Sequence, residues 1–350
     1  MCSVEQSYRR SADGVQVRPF RARAGLSSRG YSLPLQRAIS DFGADTAFAQ
    51  VPGKLREHYG IEVSASAART ITEAHGAALA EQQREPLETA LGPEPGWARM
   101  LAEADGCMLP LVKPAEASTD KRKETSLSWE EARLCLARPV ASVTARYAAT
   151  LLGKVDEVGE RWLDCAVRAG AGAQTHLHCL GDGASWMAGQ VVERFGAQAQ
   201  YLLDFYHVSE YLGAAAASCA SAPSVWLQTQ QTALKENRDA EVLAALAPAR
   251  EPATVPEKEA PVRVCERYLN NHLEYLDYAG ALAQGRPIGS GEIESSHRHV
   301  IQARLKRPGA WWRAENAEKM LALRVQRANQ EWDAYWQRLC QAPAENFVPV

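Results

Sequence analysis

The sequence predicts an α/β protein whose core is a mixed β-sheet with helices packed on its faces. Three observations carry this. The chain has 350 residues, 46% of them hydrophobic and 23% charged, a globular make-up long enough for two or three structural units. Between residues 99 and 217 the apolar pattern reads β-β-β-α-β-α-β-α, a meander followed by alternating helices and strands. From residue 224 onward helical periodicity dominates, broken by a proline-rich stretch over 247–261 and a glycine-rich loop over 285–291.

Residues 32–79 read as short helices. One ends at Gly60, where glycine suits a left-handed turn, and the next starts at Ser64, a good N-cap. The spacing Leu55-x4-Gly60-Ile61-x-Val63-Ser64-x3-Ala68 is that of a helix-turn-helix, and equally of a helical hairpin in a core. After a break rich in Pro86, Pro93 and Pro95, strands are expected near Met100–Met108, Trp129–Ala137 and Ala141–Ala148, with a polar connector over 113–128. A helix over Val155–Ala169 carries Val155, Val158, Trp162, Cys165 and Ala166 near one face. A strand over Thr175–Leu180, a helix over Met187–Phe195, a strand over Gln200–Phe205 and a helix over Tyr206–Ala217 follow. These divide the chain into a helical region (1–84), a sheet-bearing core (97–220), a helical segment (221–285) and C-terminal helices (286–340).

Charge is distributed unevenly. The total of 39 basic and 42 acidic residues gives −3, which excludes a uniformly basic coat protein. Locally, residues 1–38 hold seven Arg against Glu5 and Asp13, and residues 296–330 hold eight basic residues against Glu315 and Glu318. Two such segments could still grip a polyanion. The eight cysteines form no C-x-x-C pair and read as reduced thiols of a cytoplasmic protein. The first residues lack the apolar stretch of a secretory signal, and the longest uncharged run, Tyr211 to Leu234, is too polar to span a bilayer.

Three acids stand out. Asp105-Gly106 and Asp182-Gly183 fall at strand positions, where both residue types are disfavoured unless they turn the chain or present a carboxylate. The third lies in Ile288-Gly-Ser-Gly-Glu-Ile-Glu-Ser-Ser-His-Arg298, a helix start. On an ideal helix Glu292 and Glu294 stand about 200° apart, so they cannot share a site. The wheel puts Glu294 beside the apolar face of Ile293, Val300, Ile301 and Leu305, and points Glu292 to solvent; His297 and Arg304 fall near the centre of that face and need polar partners. Glu103, two residues before Asp105 on the same strand face, is a rival to it. His176, His178 and Cys179 alternate across one strand and make a poor zinc site.

The chain resembles the DDE-type transposases of bacterial insertion sequences, close to the Kra-type insertion-sequence family and its Mutator-like relatives. The resemblance covers about residues 35–338. It rests on Gly181-Asp-Gly-Ala-Ser-Trp186, Leu203-Asp-Phe-Tyr-His207 and Leu276-Asp-Tyr-Ala279, on the stretch from Pro287 to Trp312, and on Met320-Leu-Ala-Leu-Arg324. It implies a ribonuclease H-like catalytic core interrupted by an all-helical insertion. It also implies Asp105, Asp182 and Glu294 as catalytic metal ligands, with Asp204 and His207 as auxiliary residues near them. Members carry paired cysteines near the N-terminus, of which only Cys2 has a counterpart here. The implied cofactor is a pair of Mg²⁺ ions, with Mn²⁺ as a substitute, since two ions on shared carboxylates suit phosphodiester cleavage. The implied partners are element-end and target DNA, bound by a homodimer or larger assembly associated with the nucleoid.

Arg298, Arg304, Lys306, Arg307 and Arg313 are expected to bind DNA phosphates or to form a solvated basic face. Trp311 and Trp312 could stack on unpaired bases, though packing is expected for at least one. Two other readings stand beside an active transposase: a catalytically inactive or truncated DNA-binding relic, and a helix-turn-helix regulator with an unrelated ligand domain.

Overall fold

The computed structural model describes residues 30–84, 88, 90–114 and 125–341, together with the backbone of two short antiparallel strands, β1 (Tyr8–Arg9) and β2 (Gln16–Val17). Three helices follow: α1 (Leu33–Asp45), α2 (Val51–Tyr59) and α3 (Ala65–Gln82). As the sequence predicts, α2 stops on Gly60 at φ 65°, and the Ser64 side chain caps α3 by accepting from the Ala67 amide at 3.1 Å. The first turn of α3 is open, with Ala65, Ser66 and Arg69 exposed. Its opposite face is packed onto the C-terminal helices. A Cβ on Gly76 would come within 2.7 Å of the Lys319 carbonyl oxygen, so only glycine lets these backbones approach so closely. His75 contacts the Tyr335 hydroxyl at 2.7 Å and Gln36 at 2.9 Å. Residues 33–82 are therefore fastened to the C-terminal helices.

The sheet has five strands in the order β5-β4-β3-β6-β7. Strand β3 (Arg99–Pro114) pairs antiparallel with β4 (Thr125–Pro139), which pairs antiparallel with β5 (Arg146–Thr150). On its other side β3 runs parallel to β6 (His176–Gly181), and β6 parallel to β7 (Ala199–Leu203). The first two strands are longer than the sequence predicts. The far end of β3 gains a further partner, because the Val112 amide donates to the Trp312 carbonyl at 2.8 Å and Trp312 donates back to Pro110 at 3.3 Å. Of the predicted 113–128 connector, residues 115–124 lie outside the described residues. The third strand starts at Arg146 instead of Ala141, since Ser142 accepts from the Thr144 amide at 3.0 Å and holds the chain in a turn.

Helices α4 (Val155–Arg168) and α5 (Met187–Phe195) cover one face, packing Trp162, Leu163, Val191 and Phe195 on Met100, Ala102, Ala104 and Cys135. Helix α6 (Phe205–Cys219) leads into a helical segment, α7 (Pro223–Lys235), α8 (Asp239–Leu246), α9 (Pro261–Asn271) and α10 (Tyr278–Ala283), with a core of its own that reaches the sheet at Leu101, Leu180 and Leu202. The chain then returns as α11 (Gly291–Ser296), widens into a π-helical stretch (His297–Gln302) and ends the run in α12 (Ala303–Leu305). Helices α13 (Ala314–Ala328) and α14 (Trp332–Gln341) complete the second face, where Ile293, Val300, Ile301, Leu305 and Met320 meet Cys107, Leu109, Leu134 and Leu136. Among the described residues, no helix is long and apolar enough to cross a membrane.

Candidate active site

Strand register sets the first two acids side by side. Glu103 on β3 is level with Leu180 on β6, the last pair between these strands, and Asp105 and Asp182 each stand two residues beyond it, close enough for the Asp105 charge to raise the Asp182 pKa. Side chains two apart share a face, and neighbouring strands lie about 4.8 Å apart. Asp105 stands within β3, not at its end, and its side chain is 23% exposed. One carboxylate oxygen accepts from the Gly106 amide at 2.7 Å; the other lies 3.3 Å from Nε2 of His297. That histidine is buried, and neither of its ring nitrogens makes an aligned hydrogen bond. Burial opposes its charged form, but the Asp105 carboxylate outweighs it and holds the pKa up at about 9.

Asp182 follows β6 in a turn gripped by side chains. Its own carboxylate accepts from the Ala184 amide at 2.9 Å. The Tyr268 hydroxyl donates to the Asp182 carbonyl at 2.6 Å, His272 Nε2 lies 2.9 Å from the Gly183 carbonyl, and the Gly183 amide donates to the Tyr201 hydroxyl at 3.2 Å. Gly183 has φ 83°, and a Cβ there would meet Leu203, Tyr268 and His272 at 3.0 Å or less. Burial raises the Asp182 pKa, and the charges of Asp105 and Glu131 raise it further.

Glu294 lies in the first turn of α11 and is exposed. Its pKa is also raised, first by partial burial and then by the charges of Asp204, Asp105 and Glu210, with Arg298 opposing. Asp105 is thus the carboxylate felt by both other members of the predicted trio. Among the described residues, no three His, Cys, Asp or Glu side chains form a group close enough to hold a metal ion. The donor chemistry still fits a hard divalent cation. The donors are carboxylate oxygens, and Asp182 and Glu294 are both raised in pKa by burial and by the charge of Asp105, a penalty that a bound cation relieves.

Several expectations need correction. Glu292 does not point to solvent: it is half-buried and accepts two contacts from Arg138 Nε, at 2.8 and 2.9 Å, while Glu294 is the more exposed of the two. The ideal wheel misplaces them because α11 has only six residues before the π-helical stretch changes the angular step. Glu103, the rival to Asp105, is 1% exposed and accepts from the Ile293 amide at 2.7 Å, anchoring the start of the Glu294 helix. Burial pushes its pKa up to about 8. Asp204 is a buried clamp. One oxygen caps α6 by accepting from the Tyr206 and His207 amides at 2.6 and 3.0 Å, and the other accepts from the amide and hydroxyl of Ser290. His207 is half-buried against Tyr211 and Tyr268, and its charge lowers the Asp182 pKa.

The basic set divides. Arg298, Lys306 and Arg313 are exposed. Arg307 is half-buried and donates to the Asp45 carbonyl at 3.0 Å. Arg304 is 2% exposed: it donates to the Gly43 carbonyl at 3.0 Å and its guanidinium lies 4.8 Å from the Phe48 ring and 4.7 Å from the Trp312 ring. It is a packing residue, not a phosphate ligand, because its partners surround it. Trp312 is buried, as expected for one of the pair, whereas Trp311 is exposed and meets Trp129 edge to face. His178 contacts the Pro287 carbonyl at 2.8 Å and binds the loop before α11.

Sequence reasoning missed Tyr268, His272, Glu131 and Glu210. The first two stand four apart, Tyr268 in the last turn of α9 and His272 just after it at its C-cap, but nothing in sequence says which turn they reach.

A model of the uncharacterised protein family UPF0236 matches residues 160–335. The chain belongs to UPF0236. The matched span runs from α4 to α14, so in this UPF0236 chain it takes in Asp182, the helical segment and Glu294 but not Asp105. No curated protein matches the chain.

Proposed function

We propose that this UPF0236 chain is a DNA transposase of the DDE type, hydrolysing a phosphodiester at the end of a mobile element and joining the freed 3′ end to target DNA. The single observation that carries the reading is that Asp105 and Asp182 each lie two residues beyond the last β3–β6 pair, with the charge of Asp105 reaching both Asp182 and, on the returning helix, Glu294. The sheet supports it. Counted from β3, the strands lie in the order third-second-first-fourth-fifth, with the first three antiparallel and the last two parallel to the first. A ribonuclease H-like core has its strands in the same order, which supports the reading, with Asp105 on the first of these strands, Asp182 after the fourth and Glu294 on the returning helix.

Asp105, Asp182 and Glu294 would hold two Mg²⁺ ions, or Mn²⁺ in their place. When bound, such ions supply a nucleophilic oxygen at neutral pH and stabilise the leaving oxyanion. Glu103 and Asp204 place the Glu294 helix by gripping the Ile293 and Ser290 amides. His297 fixes one oxygen of Asp105 from behind. Arg298 and Lys306, exposed on the same run of helix, suit the DNA backbone, and the open first turn of α3 suits end recognition by a dimer or larger assembly.

The test is strand cleavage of a plasmid carrying the sequences that flank the gene, with purified protein and Mg²⁺. Wild type cuts; Asp182→Asn and Glu294→Gln bind the DNA but do not cut. Metal-independent cutting, or full cutting by either variant, overturns the reading.

A further inference from the structure

We infer that the helical segment between the sheet and α11 positions the carboxylate of Asp182, with Tyr268 and His272 as its positioning residues. This rests on the proposed reading of Asp182 as a metal ligand. Three side chains hold three consecutive backbone groups of the turn: Tyr268 on the Asp182 carbonyl at 2.6 Å, Tyr201 on the Gly183 amide at 3.2 Å, and His272 on the Gly183 carbonyl at 2.9 Å. Tyr201 comes from β7, inside the sheet. Tyr268 and His272 come from the end of α9, 86 or more positions along the chain from the turn they hold.

The clamp is rigid from behind as well. The Tyr268 ring stacks on Tyr211 of α6 at 4.1 Å and 12°, and His207 packs edge to face on both. His272 Nδ1 also lies 2.7 Å from the Tyr268 carbonyl, which fixes the ring that reaches Gly183. Gly183 leaves no spare room, since even a Cβ would strike both clamping side chains. A turn held this way has few ways to move its carboxylate, and any shift of α9 against the sheet is passed to Asp182. The helical segment is then part of the site's support. Groups that orient a metal ligand without touching the metal typically govern affinity by about ten- to a hundredfold.

Tyr268→Phe removes one hydroxyl and keeps the stacked ring. Mn²⁺ binding to the purified protein without DNA, followed by the electron paramagnetic resonance of the free ion, gives an affinity that does not depend on turnover. Thermal unfolding of the same samples gives the structural effect. Tyr268→Phe should weaken Mn²⁺ binding about tenfold or more with a small change in melting temperature. Tyr211→Phe, which keeps the stack and touches no part of the turn, should bind Mn²⁺ as wild type does. His272→Gln should weaken binding in the same direction. If Asp182→Asn abolishes Mn²⁺ binding but Tyr268→Phe leaves it unchanged, the positioning role is wrong and the metal site stands. If Tyr268→Phe only lowers the melting temperature, the hydroxyl is structural and the inference fails. If wild type binds no Mn²⁺, or Asp182→Asn binds it normally, the reading of the site fails and this inference with it.

Discussion

Replacing Asp204 by alanine should cost this protein several kcal/mol. The residue is 2% exposed, and each carboxylate oxygen serves a different element. One takes the Tyr206 and His207 amides at the start of α6; the other takes the amide of Ser290, at 2.6 Å, and its hydroxyl. Loss of the helix cap alone costs about 1–2 kcal/mol. Ser290 is 5% exposed, so its stranded amide adds about 1–3 kcal/mol. The expected total is about 2–5 kcal/mol, measured as the shift in a urea unfolding curve at constant slope. Asp204→Asn keeps an acceptor for α6 but turns a donor towards Ser290 or the reverse, so it should lose about half of that. Both variants should also cut DNA less, because the Ser290 loop starts the helix that carries Glu294. An Asp204→Ala protein within about 0.5 kcal/mol of wild type would refute the reasoning, since surface-like behaviour is incompatible with four donors on one buried carboxylate.

Three further outcomes follow from the geometry. Arg304→Gln should destabilise the fold by about 2–4 kcal/mol while leaving the salt dependence of DNA binding unchanged, whereas the exposed pair Arg298→Ala with Lys306→Ala should flatten that slope by up to about two units with little loss of stability; the two sets are separated by urea unfolding and a salt titration. Glu103 has a folded pKa of about 8, above its unfolded value near 4.5, so between those values the unfolded state sheds its proton first and stability falls as pH rises. Glu103→Gln should therefore gain on wild type progressively from about pH 4.5 to 8 and level off above, by up to a few kcal/mol; equal pH profiles would contradict the buried acid. Glu292→Gln should retain cleavage and lose only about 0.5–1.5 kcal/mol from its contact with Arg138, whereas Glu294→Gln is expected not to cut; loss of cutting by Glu292→Gln as well would contradict the choice of Glu294 over Glu292.

Much of this arrangement is legible in the chain itself. Gly60 and Ser64 mark the α2–α3 turn because glycine frees a left-handed conformation and serine satisfies an open amide, both local effects. The order of strands and helices is legible for the same reason, from periodicity alone. What sequence does not yield are effects that depend on partners far along the chain. Strand β3 outruns its expected end because Trp312 pairs with it. The wheel exchanges the environments of Glu292 and Glu294 because a π-helical stretch starts at His297 and shifts the apolar residues beyond it, from which the face is drawn. Arg304 looks like one of a basic series, yet Gly43, Phe48 and Trp312 close around it. Asp204, which the family resemblance implies as an auxiliary residue, is a clamp between the start of α6 and Ser290. The roles of Tyr268 and His272 arise only once α9 is folded back on the Asp182 turn.

The central claim is that Asp105, Asp182 and Glu294 together form a divalent-metal site. Crystals of the protein soaked in Mn²⁺ and measured for anomalous scattering test it most directly. The account predicts anomalous peaks between the carboxylates of Asp105 and Asp182, with Glu294 turned towards them, and their loss in Asp182→Asn. Mn²⁺ bound elsewhere while these three carboxylates stay bare at saturating ion would contradict it.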